Sequence, residues 1–222
     1  MAVASGVALG VIVILLTSGS VLGGRGARAS VDPAGKLARQ RGIVIGKTAG
    51  FVRDSETTAR SCQPAPPSSG YVNPLRRAVL RGERIDQGVD YAGTGTLAAI
   101  GSGHITYVGT SSTGWPGAFI EYRLSSGPDR GCFVYYAEGV QPAPRLRVGQ
   151  AIRPGEQLAT IIPGWPTGIE LGWGAGQSTK TLAATRERWT AADDARSVAS
   201  PAGRSFSGLI VDLGGPAGLV EG

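Results

Sequence analysis

Residues 168–174, GIELGWG, form the stretch of this chain whose residue types most invite a chemical interpretation. The alternation is typical of a β-strand in which Ile169, Leu171 and Trp173 point to one face and Glu170 and Gly172 to the other. The chain has a single histidine, His104, which falls on a different predicted strand, and two cysteines without C-x-x-C spacing. Neither cysteine is predicted to bind metal or to act as a nucleophile. The chemistry of this strand therefore depends on which residues accompany Glu170.

The composition favours a mostly β domain with many turns. The 222 residues include 36 Gly and 14 Pro, and only 17% are charged, which is unfavourable for long helices. The 41% of hydrophobic residues suffice for one sizeable core. We expect a compact rolled antiparallel sheet or β-sandwich. Short apolar runs bounded by glycine predict strands at 96–100, 104–109, 118–124, 132–138, 156–162 and 168–173.

Four segments follow one another along the chain. Residues 1–29 are predicted to be a signal peptide, because an apolar run is followed by Ala27 and Ala29 at the positions of a cleavage site. Retention of the uncharged residues 1–24 as a membrane anchor is the alternative. Residues 30–70 are an N-terminal extension and Pro-rich linker, 71–176 the β domain, and 177–222 a helical C-terminal extension with a helix starting near Pro201. The protein is thus expected to be exported.

Cys62 and Cys132 are predicted to form a disulfide, since an even cysteine count in an exported protein commonly pairs. Two unrelated thiols are the alternative. The net charge is +6, and no nucleic-acid-binding motif accompanies it. Basic residues gather at Arg76, Arg77, Arg81 and Arg84. We interpret this stretch as a solvated helical or loop face, with contact to an anionic surface as the alternative.

Four motifs give the chain a resemblance to a known family. Residues 84–109 contain R-I-D-Q-G-V-D, residues 134–138 read VYYAE, residues 145–161 read RLRVGQAIRPGEQLATI, and residues 167–173 read TGIELGW. In this order they resemble the motifs of the lysostaphin/LytM-type peptidoglycan metallopeptidases, over roughly residues 71–176. The resemblance implies that family's rolled β fold and a location in the bacterial cell envelope or outside the cell.

The same resemblance implies which residues would occupy the active site. In the family, zinc is bound by the His and Asp of H-x-x-x-D and by the second His of H-x-H, and two further histidines handle the attacking water and the oxyanion. Here Asp86 stands at the first histidine position and Asp90 is retained. Glu138 replaces the histidine of Y-x-H, and Glu170 and Gly172 replace the two of H-x-H. Because zinc prefers nitrogen or sulfur ligands, we expect neither zinc binding nor the family's catalysis.

If the resemblance holds, Asp86, Asp90, Glu138 and Glu170 converge on one pocket. Like charges raise one another's pKa, so the carboxylates would bind a hard cation such as Ca²⁺, work as a general acid and base, or bind amino and amide groups of a ligand. Trp115 and Trp165, in Gly/Pro loops, and Tyr136 are candidates for lining the groove. Packing within the loops is the alternative for the tryptophans.

These observations predict a non-catalytic LytM-like domain, a pseudoenzyme. It would bind peptidoglycan or regulate a cell-wall hydrolase through the former active-site groove. The alternative is an enzyme, either a peptidoglycan metalloendopeptidase with altered ligands or a carboxylate-based cell-wall hydrolase. No cofactor is expected apart from Ca²⁺ at the four carboxylates, and no nucleic-acid partner.

Overall fold

The computed structural model describes residues 69–220, together with Cys62 and Pro66. The predicted signal peptide or anchor and most of the linker lie outside these residues. The described chain is mostly β. Its strands are β1 (Arg77–Ile85), β2 (Val89–Ala98), β3 (Gly103–Gly109), β4 (Ala118–Leu124), β5 (Phe133–Glu138), β6 (Val140–Pro142), β7 (Ala151–Ile152), β8 (Gln157–Ile161) and β9 (Ile169–Gly174), and its helices are α1 (Leu182–Arg186), α2 (Ala191–Asp194) and α3 (Pro201–Asp212).

The strands form one curled sheet in the order β6-β8-β2-β9-β5-β4-β3-β7, and β1 pairs with β2 outside this path. Every strand pairing is antiparallel. The prediction of a mostly β rolled sheet is confirmed, as a single sheet rather than two sheets packed face to face. All six predicted strands are present, and the one predicted at 96–100 is the end of the longer β2.

Side chains alternate between two faces of the sheet, as the sequence of β9 predicts. Leu171 and Trp173 lie in the main hydrophobic core, and Trp173 meets Phe206 of α3 edge-on with ring centroids 5.2 Å apart. Glu170 and Gly172 point to the opposite face, which we call the pocket face. Because α3 covers the core face, the segment predicted as a C-terminal extension is part of the core.

Helix α3 begins where the sequence predicts it. Pro201 occupies its first turn, and the Ser200 hydroxyl accepts a hydrogen bond from the Gly203 amide as an N-cap. Its buried side chains include Phe206, Leu209 and Ile210. Among the described residues, no helix combines the length and apolar character needed to cross a membrane.

The basic stretch around Arg76–Arg84 is a strand, so its interpretation as a helical or loop face is wrong. Arg77 and Arg81 are exposed while Ala78 and Leu80 are half-buried, because β1 pairs along most of its length with β2. Cys62 and Cys132 form the predicted disulfide, with Cα atoms 6.2 Å apart. The disulfide fixes the chain before β1 to the start of β5.

Candidate functional site

A pocket of about 670 Å³ opens on the pocket face, between the ends of β2, β5 and β9 and the segments around residues 113–116 and 179–194. Five carboxyl groups, two basic groups and two tryptophans line it. They are Asp86, Asp90, Glu138, Glu170, Asp194, Arg84, Lys180, Trp115 and Trp189. The four predicted carboxylates therefore share one pocket, and His104 on β3 is not among its lining residues.

Three of these carboxylates form a tight group. Asp86 lies in the turn between β1 and β2, where its side chain accepts a hydrogen bond of 3.0 Å from the Gly88 amide. Asp90 on β2 is paired in register with Glu170 on β9. One carboxylate oxygen from each of Asp86, Asp90 and Glu170 lies within 4.8 Å of the other two. The register of two strands and one turn thus produces the cluster.

Arg84 neutralises part of this charge. Its guanidinium lies 2.8 Å from Asp86 Oδ2, 3.4 Å from Asp90 Oδ2 and 2.9 Å from Asp194 Oδ1. Burial opposes the charge of Arg84, but the three carboxylates outweigh it and raise the pKa of the guanidinium. This residue had been grouped with the basic surface stretch. The sequence signal that could have distinguished it is its spacing, two residues before Asp86 and six before Asp90 on the same hairpin.

Burial dominates the titration of the carboxyl groups. Desolvation, followed by the charge of Asp86, raises the pKa of Asp90 to about 8 although Arg84 opposes the shift. Burial also raises the pKa of Asp86 and Glu138, and that of Glu170 well above its usual range. Part of the cluster is therefore protonated at neutral pH.

Tyr135 fills the space beside Gly172. The two residues are directly paired across β5 and β9, and a Cβ atom at Gly172 would lie 2.7 Å from both Cε1 and the hydroxyl oxygen of Tyr135. The same hydroxyl donates a short hydrogen bond to Glu170. Tyr135 was absent from the predicted site, and the phenol now occupies the volume that a side chain at Gly172 would need.

Glu138 lies at the end of β5 in an unusual backbone conformation. Its φ of 71° is in the left-handed region, which residues other than glycine adopt uncommonly. Its carboxyl group is hydrogen-bonded to the Thr167 side chain. Glu138 lines the pocket but is not one of the three carboxylates within 4.8 Å.

The predicted groove aromatics have three different positions. Trp115 is half-buried at the pocket. Its indole donates a hydrogen bond of 3.0 Å to the Thr179 carbonyl, and its ring centre lies 5.5 Å from that of Tyr135. Trp165 packs beside Gly139 and is not among the lining residues. Tyr136 is fully buried on the core face, with its hydroxyl 2.6 Å from the Ala98 carbonyl. Strand alternation places Tyr135, rather than Tyr136, on the pocket face, where it is fully buried beneath the lining residues.

The donor set of the cluster does not fit zinc, since it offers carboxylate oxygens and neither imidazole nor thiolate. Carboxylate oxygens do suit a hard cation. Two of the three, however, already bond the guanidinium of Arg84, so a cation would have to compete with a fixed positive charge.

Comparison of the chain with models of known protein families and with curated proteins finds no match. The interpretation of the pocket therefore depends on its own geometry.

Proposed function

We propose that this chain is an exported, non-catalytic LytM-like module that binds amino-bearing peptide segments of peptidoglycan in the acidic pocket. One observation carries the proposal: the pocket gathers five carboxyl groups and no histidine. The positions where the resembled family binds zinc hold Asp86, Asp90 and Gly172, and Tyr135 occupies the space next to Gly172. These residues favour ligand binding over activation of a water molecule.

The charge distribution supports a cationic ligand group. Arg84 satisfies Asp86, Asp90 and part of Asp194, whereas neither Glu138 nor Glu170 forms an ion pair among the described residues. A primary ammonium group entering the pocket can pair with Glu138, which lines the pocket and is 9% exposed. The half-buried ring of Trp115 offers an apolar surface for the adjoining part of the ligand.

Sedimentation with purified peptidoglycan tests the proposal. The wild-type protein should sediment with the polymer, and Glu138→Gln should weaken this binding about tenfold by removing a charge-assisted hydrogen bond. Asp212→Asn is the matched control, because Asp212 is exposed on α3 and away from the pocket lining. Acetylating the free amino groups of the polymer should abolish binding, because it removes the positive charge that pairs with the carboxylate.

Wild-type protein that stays in solution would contradict the proposed ligand. Capture of a wall hydrolase by the same protein would then favour the regulatory role instead. Calorimetric titration with Zn²⁺ and Ca²⁺ belongs to the same experiment, because tight stoichiometric zinc binding would overturn the non-catalytic assignment.

A second candidate is a carboxylate-based wall hydrolase, and the pKa of Asp90, raised to about 8, favours it. General acid catalysis needs a carboxyl group that stays protonated near neutral pH. Release of soluble fragments from peptidoglycan in the presence of a chelator, lost in Asp90→Asn, would establish this activity. Absence of release with intact binding would leave the binding module as the function.

A further inference from the structure

We propose that a second, smaller pocket binds an oxyanion, a carboxylate or phosphate, attached to a small flat apolar group. This pocket, of about 190 Å³, lies at the other end of β4, β5 and β9 from the acidic pocket and shares no lining residue with it. We call it the arginine pocket. Its three basic side chains are Arg123, Arg130 and Arg186.

Separate elements bring the three arginines together. Arg123 is on β4 and is paired in register with Phe133 of β5, Arg130 is in the turn between these strands, and Arg186 ends α1. The Cys62–Cys132 disulfide forms part of the wall. This crosslink ties the β4–β5 turn, which carries Arg130, to Cys62 in the chain before β1.

The three arginines of the arginine pocket are exposed, and their partners within the described part of the chain are few. None of the three arginines makes an ion pair or a side-chain hydrogen bond there, and no carboxyl group is among the lining residues. Glu121, two residues before Arg123, is 1% exposed, and its oxygens accept hydrogen bonds from Thr106 and from the Gly176 amide. The Glu121 carboxylate therefore already has hydrogen-bond partners away from the arginines.

The shape and lining define the class of ligand. Guanidinium groups prefer planar or tetrahedral oxyanions, which they bind through paired hydrogen bonds. Phe133, Leu182 and Ala175 supply an apolar surface, and the guanidinium carbon of Arg123 lies 5.8 Å from the centre of the Phe133 ring. The volume equals that of about six water molecules in the liquid, which suits one oxyanion and one small ring.

Titration of the full exported chain with phenyl phosphate, benzoate and inorganic phosphate tests this site by calorimetry and amide NMR shifts. We expect saturable binding of the two ring-bearing anions, with shifts at Gly131, Phe133 and Ala175. Each should bind about tenfold more tightly than inorganic phosphate, because it also buries a ring. The comparison of benzoate with phenyl phosphate distinguishes carboxylate from phosphate ligands.

The double variant Arg130→Gln/Arg186→Gln should weaken binding at least about tenfold while leaving thermal unfolding unchanged. Arg147→Gln/Arg153→Gln is the control. Both residues are exposed and lie outside the pocket, and the two substitutions remove the same charge. Equal loss in both variants, or no saturable shift at the pocket, would overturn the proposal.

Discussion

Gly172 and Tyr135 are a size-matched pair across two central strands. A side chain at Gly172 and the ring of Tyr135 compete for one volume, with a Cβ of residue 172 only 2.7 Å from the ring. The Tyr135 hydroxyl also donates a hydrogen bond to buried Glu170. The missing side chain of Gly172 and the phenol of Tyr135 are thus one structural feature rather than two.

Gly172→Ala should lower the free energy of unfolding by about 1–3 kcal/mol, because the added methyl group overpacks the site. Combining it with Tyr135→Ala should cost less than the sum of the two single changes, since the second removes the clash. Combining it with Tyr135→Phe removes the hydroxyl contact but keeps the ring carbon at 2.7 Å, so it should give only part of this relief. Denaturant titrations of the set measure the coupling, and strict additivity with Tyr135→Ala would contradict the pairing.

Asp90 should make stability depend on pH. Its pKa is about 8 in the folded protein and about 3.9 when unfolded, so the folded state holds an extra proton between these values. The contribution of this proton to the free energy of unfolding is complete below about pH 4. It falls as the pH rises from there through about 8, by about 1.4 kcal/mol per pH unit for one proton.

Thermal unfolding of Asp90→Asn between about pH 4 and 9 should therefore show a flatter decline than the wild type. Some decline should remain, because the pKa values of Glu170 and Glu138 are also raised. Asp212→Asn, at an exposed position on α3, should leave the slope unchanged. An unaltered slope in Asp90→Asn would show that this carboxyl group does not carry the extra proton.

At the scale of elements, the segment after α3 is bound to the sheet. Leu219 forms a parallel bridge with Arg84, its amide lies 2.6 Å from the Glu83 carbonyl, and the buried Tyr91 hydroxyl donates to the Pro216 carbonyl at 3.1 Å. The glycine-rich composition of these residues is typical of a frayed terminus. Backbone bonds to the outer edge of β1, which composition does not reveal, hold the segment instead.

Ending the chain after Gly215 should lower the free energy of unfolding by about 1–3 kcal/mol, because buried Tyr91 loses its acceptor and β1 its neighbour. Ending it after Val220 removes no described contact and serves as the control. Equal melting temperatures for the two truncated proteins would contradict a stabilising role of the segment.

At the scale of the molecule, the disulfide joins residues 70 positions apart and links the linker to the turn-rich end of the sheet. Replacing both Cys62 and Cys132 by serine should lower the free energy of unfolding by about 4 kcal/mol in the chain-entropy model. Thermal melts with and without reductant measure the effect. Reductant should not change the serine variant, and a wild-type melt insensitive to full reduction would contradict the prediction.

Six of the nine described strands were predictable because each is marked by a short apolar run near glycines, with the alternation that a pleated sheet imposes. The start of α3 at Pro201 was predictable for an equally local reason. β1 was missed because its arginines mask the period of two, and its half-buried residues depend on pairing with β2. The length of β2 was underestimated because Gly93 and Gly95 weaken the local strand pattern.

The sequence by itself determined the strand alternation and the cysteine pair, because residue type and local spacing are sufficient for these. The carboxylates at Asp86, Asp90, Glu138 and Glu170 were picked out only by the family resemblance. Only the tertiary structure decided what surrounds them. Arg84 pairs with the acidic cluster, Tyr135 fills the space at Gly172, Tyr136 turns to the core and Asp194 joins from α2. Each of these depends on strand register and on helix packing between residues far apart in the chain, which local patterns do not encode.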